Sequence, residues 1–237
     1  MKRIWHNATA VDEGAAWGIA LDGRPVRTPA GARLKLPHAA ARAVAEEWQA
    51  AGDGAKGGTY APEDLPLTRM AATAIDRIAP DPAAAVEGIA RYAETDLLCY
   101  RADQPASLVA RQAHAWQPLL DWAALALDAP LRTTVGVMPL AQDQAALAAL
   151  HRAVARHDAL QLAGLGLAVG ALGSLVLGLA LAHGRLDAEA ATQASLLDEL
   201  FQASLWGEDA EAAHRRVRVA HDVALAARWL SLVRKPG

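Results

Sequence analysis

Eight histidines and a single cysteine, Cys99, set the limits of the metal and nucleophile chemistry open to this 237-residue chain. The histidines do not converge. His214 and His221 share a helix face, but seven residues of helical rise separate them by roughly 10 Å, too far for one metal ion. His151 and His157 fall on well-separated faces. A lone cysteine forms no internal disulfide and no thiolate metal cluster. Cys99, between Leu98 and Tyr100, is expected to be a buried thiol rather than a nucleophile. Glu94 and Asp96 stand two apart in a helical segment and do not face each other as an acid–base pair would. The chain carries no H-E-x-x-H, paired C-x-x-C, nucleophile elbow or Walker loop. The expectation is therefore no catalytic residue and no metal ligand.

What remains is chemistry of contact. In "LDELFQASLWG", Glu199 and Trp206 stand seven apart on one helix face, with Asp198 beside the glutamate. An acid and an indole together are either a solvated carboxylate near a core tryptophan or a polar-plus-aromatic patch for another protein. Glu199 is expected to be exposed, because nothing nearby in sequence offers it a buried partner and burying an unpaired carboxylate is expensive. Trp48, in "EEWQAAG", ends a helix ahead of a glycine-rich loop and is a core filler or a second contact residue. Glu199, Trp206, Asp198 and Trp48 are the partner-binding candidates. The seven tryptophans, against one phenylalanine, leave both uses open for each indole.

The elements that must position these residues change in kind along the chain. "WGIALDGRPVRTPAGARLKL" alternates at Trp17, Ile19 and Leu21, then at Leu34 and Leu36. Asp22-Gly23 suits a tight hairpin turn, and Pro29-Ala30-Gly31 marks another. With "RIWHNATAV" before it, this predicts an antiparallel meander of three or four strands. After Pro37 the period becomes helical, with Val44 and Trp48 on one face. "AGDGAKGG" ends that helix and is the best linker candidate. Leu67, Met70, Ala74 and Ile78 follow at helical spacing, and Asp81-Pro82 is a helix start. Downstream everything is helical in pattern: a segment capped by Ser107 and bearing Trp116, Leu119, Leu120 and Trp122; an amphipathic helix over 142–158 with Leu147, Leu150 and Val154 inward; a helix over 188–205 capped by Asp187; and Glu208 to Leu232. The predicted fold class is α+β, a small N-terminal antiparallel β domain over 1–60, with one helix at about 38–50, followed by a larger all-α domain over 61–237.

Ala159–Gly184 carries no Asp, Glu, Lys or Arg and predicts a central apolar helix at about 159–183. By length it could span a membrane, which leaves a single-span assembly factor as an alternative. No tryptophan or tyrosine flanks it, no basic cluster borders it, and amphipathic helices are available to surround it. Gly166, Gly170, Ser174, Gly178 and Ala182 recur every fourth position and predict a close-packed ridge, against which Gly170→Leu would act as a wedge. "GLGLAVG" resembles a dinucleotide-binding loop by glycine count, but the residues before it are helical in pattern and no strand precedes it. The charge balance, 23 basic against 26 acidic residues, provides no footprint for nucleic acid. The N-terminus has no apolar signal core, and Asp12 and Glu13 suit a transit peptide poorly.

"LDGRPVRTP", "LPLTRMAATAIDRI", "YAETDLLCYRADQPASLVARQAHAWQPLLDW" and "LDELFQASLWG" together resemble the assembly chaperones of the F₁ part of ATP synthase. The resemblance is to the kind that binds the F₁ α subunit in mitochondria and alphaproteobacteria, and it runs from about Trp17 to Leu232. It implies a β-rich N-terminal domain, a helical C-terminal domain, and a soluble protein without cofactor, monomeric and cytoplasmic in a bacterium. Such a protein shields free α subunit until the β subunit replaces it. The acidic position of the family's E-x₆-W-G pattern falls on Glu199, and Trp206 and Gly207 match the rest. A small-molecule enzyme built on the helical domain is the remaining alternative and would need a convergent polar pocket.

Overall fold

The hairpin expected at Asp22-Gly23 is present: the two residues take left-handed φ values of 47° and 80°, the conformation a two-residue turn between twisted strands requires. It joins β2 (Trp17–Leu21) to β3 (Arg24–Pro25), and β1 (Ala8–Asp12) pairs with β2 on the other edge. All pairing is antiparallel, with Ala8 opposite Leu21 and Asp12 opposite Trp17. The Asp22 carboxylate accepts from the amides of His6 (2.9 Å) and Asn7 (2.8 Å), which pins the turn to the chain entering β1. Leu34 and Leu36 are buried, but their segment forms isolated bridges, Leu36 with Trp17 and Arg33 with Arg27, rather than a fourth strand. The computed structural model describes residues 1–234.

Two units divide the chain. One comprises Met1–Pro82 together with Asp158–Gly164 and the segment from Arg228 onward; the other comprises Ala83–His157 and Leu165–Ala227. In the first unit, α1 (His38–Ala50) packs on β1 and β2 through Ala40, Ala41 and Val44. The glycine-rich run that follows is no free linker. Arg3 closes it from the N-terminus, its amide donating to Gly58 O (2.8 Å) and its carbonyl accepting from Gly57 N (2.9 Å). The Arg3 side chain is buried without a carboxylate; its guanidinium donates instead to the carbonyls of Gln49 (2.6 Å), His6 (2.8 Å), Trp5 and Ala51 (both 3.1 Å). Five fixed donors let arginine satisfy several carbonyls at once, a geometry lysine lacks. Helix α2 (Pro66–Thr73) has no cap of its own, and Glu47 from α1 supplies one, accepting from Leu67 N (2.6 Å), Thr68 N (2.9 Å) and Thr68 Oγ1 (2.6 Å). A widened π turn, Ala74–Ile78, continues α2. Within the same unit Trp229 donates its indole N–H to Leu160 O (2.7 Å), and a Cβ on Gly164 would come within 2.8 Å of Leu230 and 2.9 Å of Trp229.

The second unit begins at α3 (Pro82–Ala90), started by the expected Asp81-Pro82 pair, and passes through short 3₁₀ turns at Arg91–Thr95 and Leu97–Cys99. Helix α4 (Ala106–Leu127) follows. Its N-cap is Pro105, not Ser107, which lies inside the first turn. Two short strands interrupt the helical pattern: β4 (Tyr100–Arg101) pairs in parallel with β5 (Thr134–Val135). α5 (Gln144–Ala155) is capped by Asp143, whose side chain accepts from Ala145 N (2.8 Å).

The apolar stretch is not one helix. It forms α6 (Ala159–Leu172) and α7 (Leu175–Ala182), of 14 and 8 residues, broken at Gly173-Ser174. Gly173 ends α6 at φ 65°, a left-handed terminus that glycine adopts without penalty. Ser174 then caps α7, its Oγ accepting from Leu177 N (3.0 Å). Behind both sits Asp96, fully buried, which accepts from Ser174 Oγ (2.8 Å), Leu98 N (3.0 Å) and Val176 N (3.0 Å). This overturns the single-span alternative. A spanning helix needs about 20 apolar residues, and among the described residues no helix is long and apolar enough to cross a membrane. The ridge is corrected as well. A Cβ on Gly178 would collide with Val169, whereas Gly170 is exposed and a Cβ there meets nothing nearer than the Tyr92 hydroxyl at 3.8 Å. Leu175 to Leu181 are all buried, and Val176, Leu177, Ala180 and Leu181 share a core with Trp116, Leu119, Leu120 and Val223.

The helix expected over 188–205 is also two, α8 (Ala188–Ser195) and α9 (Leu197–Trp206). The buried Trp116 indole takes the Ala194 carbonyl (2.9 Å), Ser195 Oγ turns to Leu172 O (2.9 Å), and the chain bends at the buried Leu196. α10 (Ala210–Leu232) is the last helix among the described residues. The fold is thus α+β, a three-stranded antiparallel sheet near the N-terminus followed by a larger helical region.

Candidate contact site on helix α9

Residues three, four and seven apart share a helix face, and α9 presents two such faces. Glu199, Gln202, Ala203 and Trp206 look toward α10 and, with Arg215 and Arg216, line a groove of about 320 Å³. Leu197, Leu200 and Phe201 look the other way, toward α4 and α8. Gly207, at φ 91°, ends α9 directly after Trp206, so the indole sits on the last residue of the helix.

Glu199 and Trp206 are therefore brought together, as their spacing predicts. Trp206 is 78% exposed, too much for a core residue, and Leu205 beside it is 57% exposed. Glu199 departs from expectation. It is half-buried, and its Oε1 forms an ion pair with Arg215 of α10. Its other oxygen, Oε2, is buried without a hydrogen-bond partner among the described residues. The acid thus does have a partner, sixteen residues along the chain, where no local pattern in the sequence marks it. Arg216 points to Glu208 (2.9 Å) at the same groove end.

Asp198 faces elsewhere. Its Oδ1 accepts from Gln112 Nε2 (2.8 Å) on α4, while Gln112 Oε1 accepts from Ala102 N (2.8 Å). That buried amide ties the start of α9 to α4 and fixes the rotation of the helix, hence which residues face α10. Trp48 belongs to the first unit, half-buried in an aromatic cluster with Trp5 (centroids 5.1 Å apart) and Tyr60 (6.0 Å), both edge-on. Its indole N–H has no acceptor among the described residues, although its own carbonyl accepts from Trp5 Nε1 (3.2 Å).

The larger concavity lies on the opposite face of α9, a trough of about 1090 Å³ with an apolar floor that includes Leu119, Leu186, Ala194, Leu197 and Phe201. Cys99 is fully buried, and burial pushes its thiol up to about 12, with the nearby Asp96 charge adding to the shift. Among the described residues no three His, Cys, Asp or Glu side chains gather to hold a metal ion. What α9 presents at its C-terminal end is an exposed indole next to an ion pair.

Known proteins share both sequence and fold with this chain. The family of ATP12 chaperone proteins matches residues 2–124. Atp12 from Paracoccus denitrificans is 42% identical, with a TM-score of 0.92, over 98% of each chain. An aspartate-to-lysine mutant of the same protein matches to the same extent. The Atu1473 protein of Agrobacterium tumefaciens is 38% identical, with a TM-score of 0.91, over 98% of this chain and 86% of its own. With its fold and 42% of its sequence shared over nearly the full length of a relative, this chain belongs to the ATP12 chaperone family.

Proposed function

We propose that this chaperone acts in assembly of the F₁ sector of ATP synthase, holding unassembled α subunit until the β subunit replaces it, and that the Glu199–Trp206 face of α9 makes the contact. The observation that carries the reading is the 78% exposure of Trp206 beside the Glu199–Arg215 pair. An α subunit without its neighbours exposes an apolar face prone to self-association. Covering that face more weakly than β does makes release an exchange, with no need for ATP, a cofactor or a catalytic step. In this reading the protein is a bacterial cytoplasmic monomer. Asp198 supports the contact by fixing α9, and Trp48, with its unused indole N–H, is a contact of the first unit.

The test is Glu199→Lys, with binding of purified α subunit followed by calorimetry. Glu199 and Arg215 side chains are 34% and 49% exposed, so losing their pair removes at most about 1 kcal/mol of stability and the fold persists. Binding falls about tenfold or more, further than for Glu199→Ala, because reversal sets like charges against each other. Unchanged affinity in a well-folded Glu199→Lys protein removes the site. Recovery of no ATP synthase subunit with the wild-type protein from its native cytoplasm removes the function.

A further inference from the structure

The trough on the other face of α9 has a composition of its own. Helices α4, α8 and α9 supply an almost wholly aliphatic and aromatic floor, and the two charged groups at its rim are of one sign: Arg111 from α4 and Arg185 ahead of α8. Both arginines are exposed and neither has a carboxylate partner among the described residues. Each is instead held over a ring, Arg111 5.2 Å from the Phe201 centroid and Arg185 5.9 Å from that of Trp122. Stacking of this kind orients a guanidinium while leaving its N–H donors free. Asp187 and Glu189, beside the trough, accept from Ala190 N (2.8 Å) and Gln193 Nε2 (3.1 Å), and neither pairs with these arginines.

We propose that this trough is a second docking surface, which receives an amphipathic helix of the client whose apolar stripe is flanked by carboxylates. The inference rests on the chaperone reading above and adds to it the chemistry of a separate contact. An apolar groove of this form is what a helix laid in by its i, i+3, i+4 and i+7 side chains requires. The rim supplies the register, since two pre-oriented guanidiniums bind carboxylates in a fixed fork geometry. A small ligand is a poorer match, because the volume of about 1090 Å³ lies at the top of the range for such sites and the floor has no convergent polar groups. A second copy of this chain, placed symmetrically, would set cationic rims against each other.

The experiment uses the full chain and three probes: purified α subunit, and two fluorescein-labelled peptides of roughly 18 residues with leucine at helical spacing, one flanked by glutamates and one by lysines. Two variants report on the trough, the double change Arg111→Glu with Arg185→Glu, and Ala190→Trp, which fills the floor without altering charge. Melting curves establish that each is folded. The glutamate peptide binds the wild-type protein, binds each variant about tenfold more weakly or worse, and loses affinity with added salt; the lysine peptide binds poorly throughout. Equal binding of the two peptides, or of the glutamate peptide to all three proteins, overturns the trough as a docking site. So does a wild-type dimer in sedimentation that Ala190→Trp converts to monomer, since the occupant is then a second copy. If α subunit binds the wild type and both variants alike, the trough is removed and the holding function stands. If the glutamate peptide binds as described and α subunit does not, the trough stands and the identity of the client falls.

Discussion

Replacing Asp96 by alanine should unlock the break in the apolar stretch. The carboxylate is fully buried and accepts three hydrogen bonds, from Ser174 Oγ (2.8 Å), Leu98 N and Val176 N (both 3.0 Å). Hydrogen bonds to a charged acceptor are worth about 1.5–3 kcal/mol each, so the gross loss is roughly 5–9 kcal/mol. Relief of burying the carboxylate offsets several kcal/mol of that. A net loss of about 3–5 kcal/mol remains, because two backbone amides and a hydroxyl stay buried without an acceptor. For a chain of this size that corresponds to a fall in Tm of roughly 10 °C. Calorimetry and urea unfolding should be run beside Ser174→Ala, which loses only the α7 cap and one donor, about 1–2 kcal/mol. The two changes should be strongly non-additive, since they share a bond. The pH dependence has a definite sign. Burial holds the Asp96 pKa above the ordinary carboxylate value, against its hydrogen bonds from Val176, Ser174 and Leu98. The folded state therefore binds this proton more tightly. The stability it contributes is fully present below the unfolded pKa and is lost as pH rises through the folded one. Asp96→Asn should flatten that descent. An Asp96→Ala protein within 1 kcal/mol of wild type would refute the reasoning.

Other substitutions probe the remaining features. Gly178→Leu, which drives a side chain into Val169, should destabilise by about 1–3 kcal/mol in thermal melts, while Gly170→Leu should be neutral or slightly stabilising. Glu47→Ala should remove the cap of α2 and about 0.5–2 kcal/mol, seen in urea unfolding. Burial raises the Glu47 pKa in spite of its bonds to Thr68 and Leu67, so this residue too contributes stability that declines as pH rises through its folded pKa. Cys99, buried and pushed up to about 12, should resist iodoacetamide at pH 8 in the native protein and react fully in urea, by mass spectrometry.

How much of this was legible beforehand follows the range of the forces involved. Asp22-Gly23 marks its hairpin because a left-handed pair is a property of those two residues. Asp81-Pro82 and the Asp187 cap mark helix starts for the same reason, since cap and capped amide lie within one turn. That Leu175 to Leu181 are buried follows from a helix apolar on every side, and that Glu199 and Trp206 share a face follows from their spacing. The tertiary structure decided what depends on partners far along the chain. The apolar stretch divides at Ser174 because Asp96, seventy-eight residues earlier, accepts its hydroxyl. The run after Ser195 bends at the buried Leu196, where the Trp116 indole, likewise seventy-eight residues earlier in the chain, donates to the Ala194 carbonyl. α2 is capped from α1, and β4 pairs with a two-residue strand too short to show a period of its own. The spacing predicts an exposed Glu199 with no partner nearby in sequence, and it is instead half-buried and paired, because Arg215, sixteen residues on, reaches it only in the folded chain. Local chemistry sets turns, caps and faces; which buried carbonyl or carboxylate meets which donor is settled only when packing closes the long loops, since desolvation makes those distant bonds obligatory.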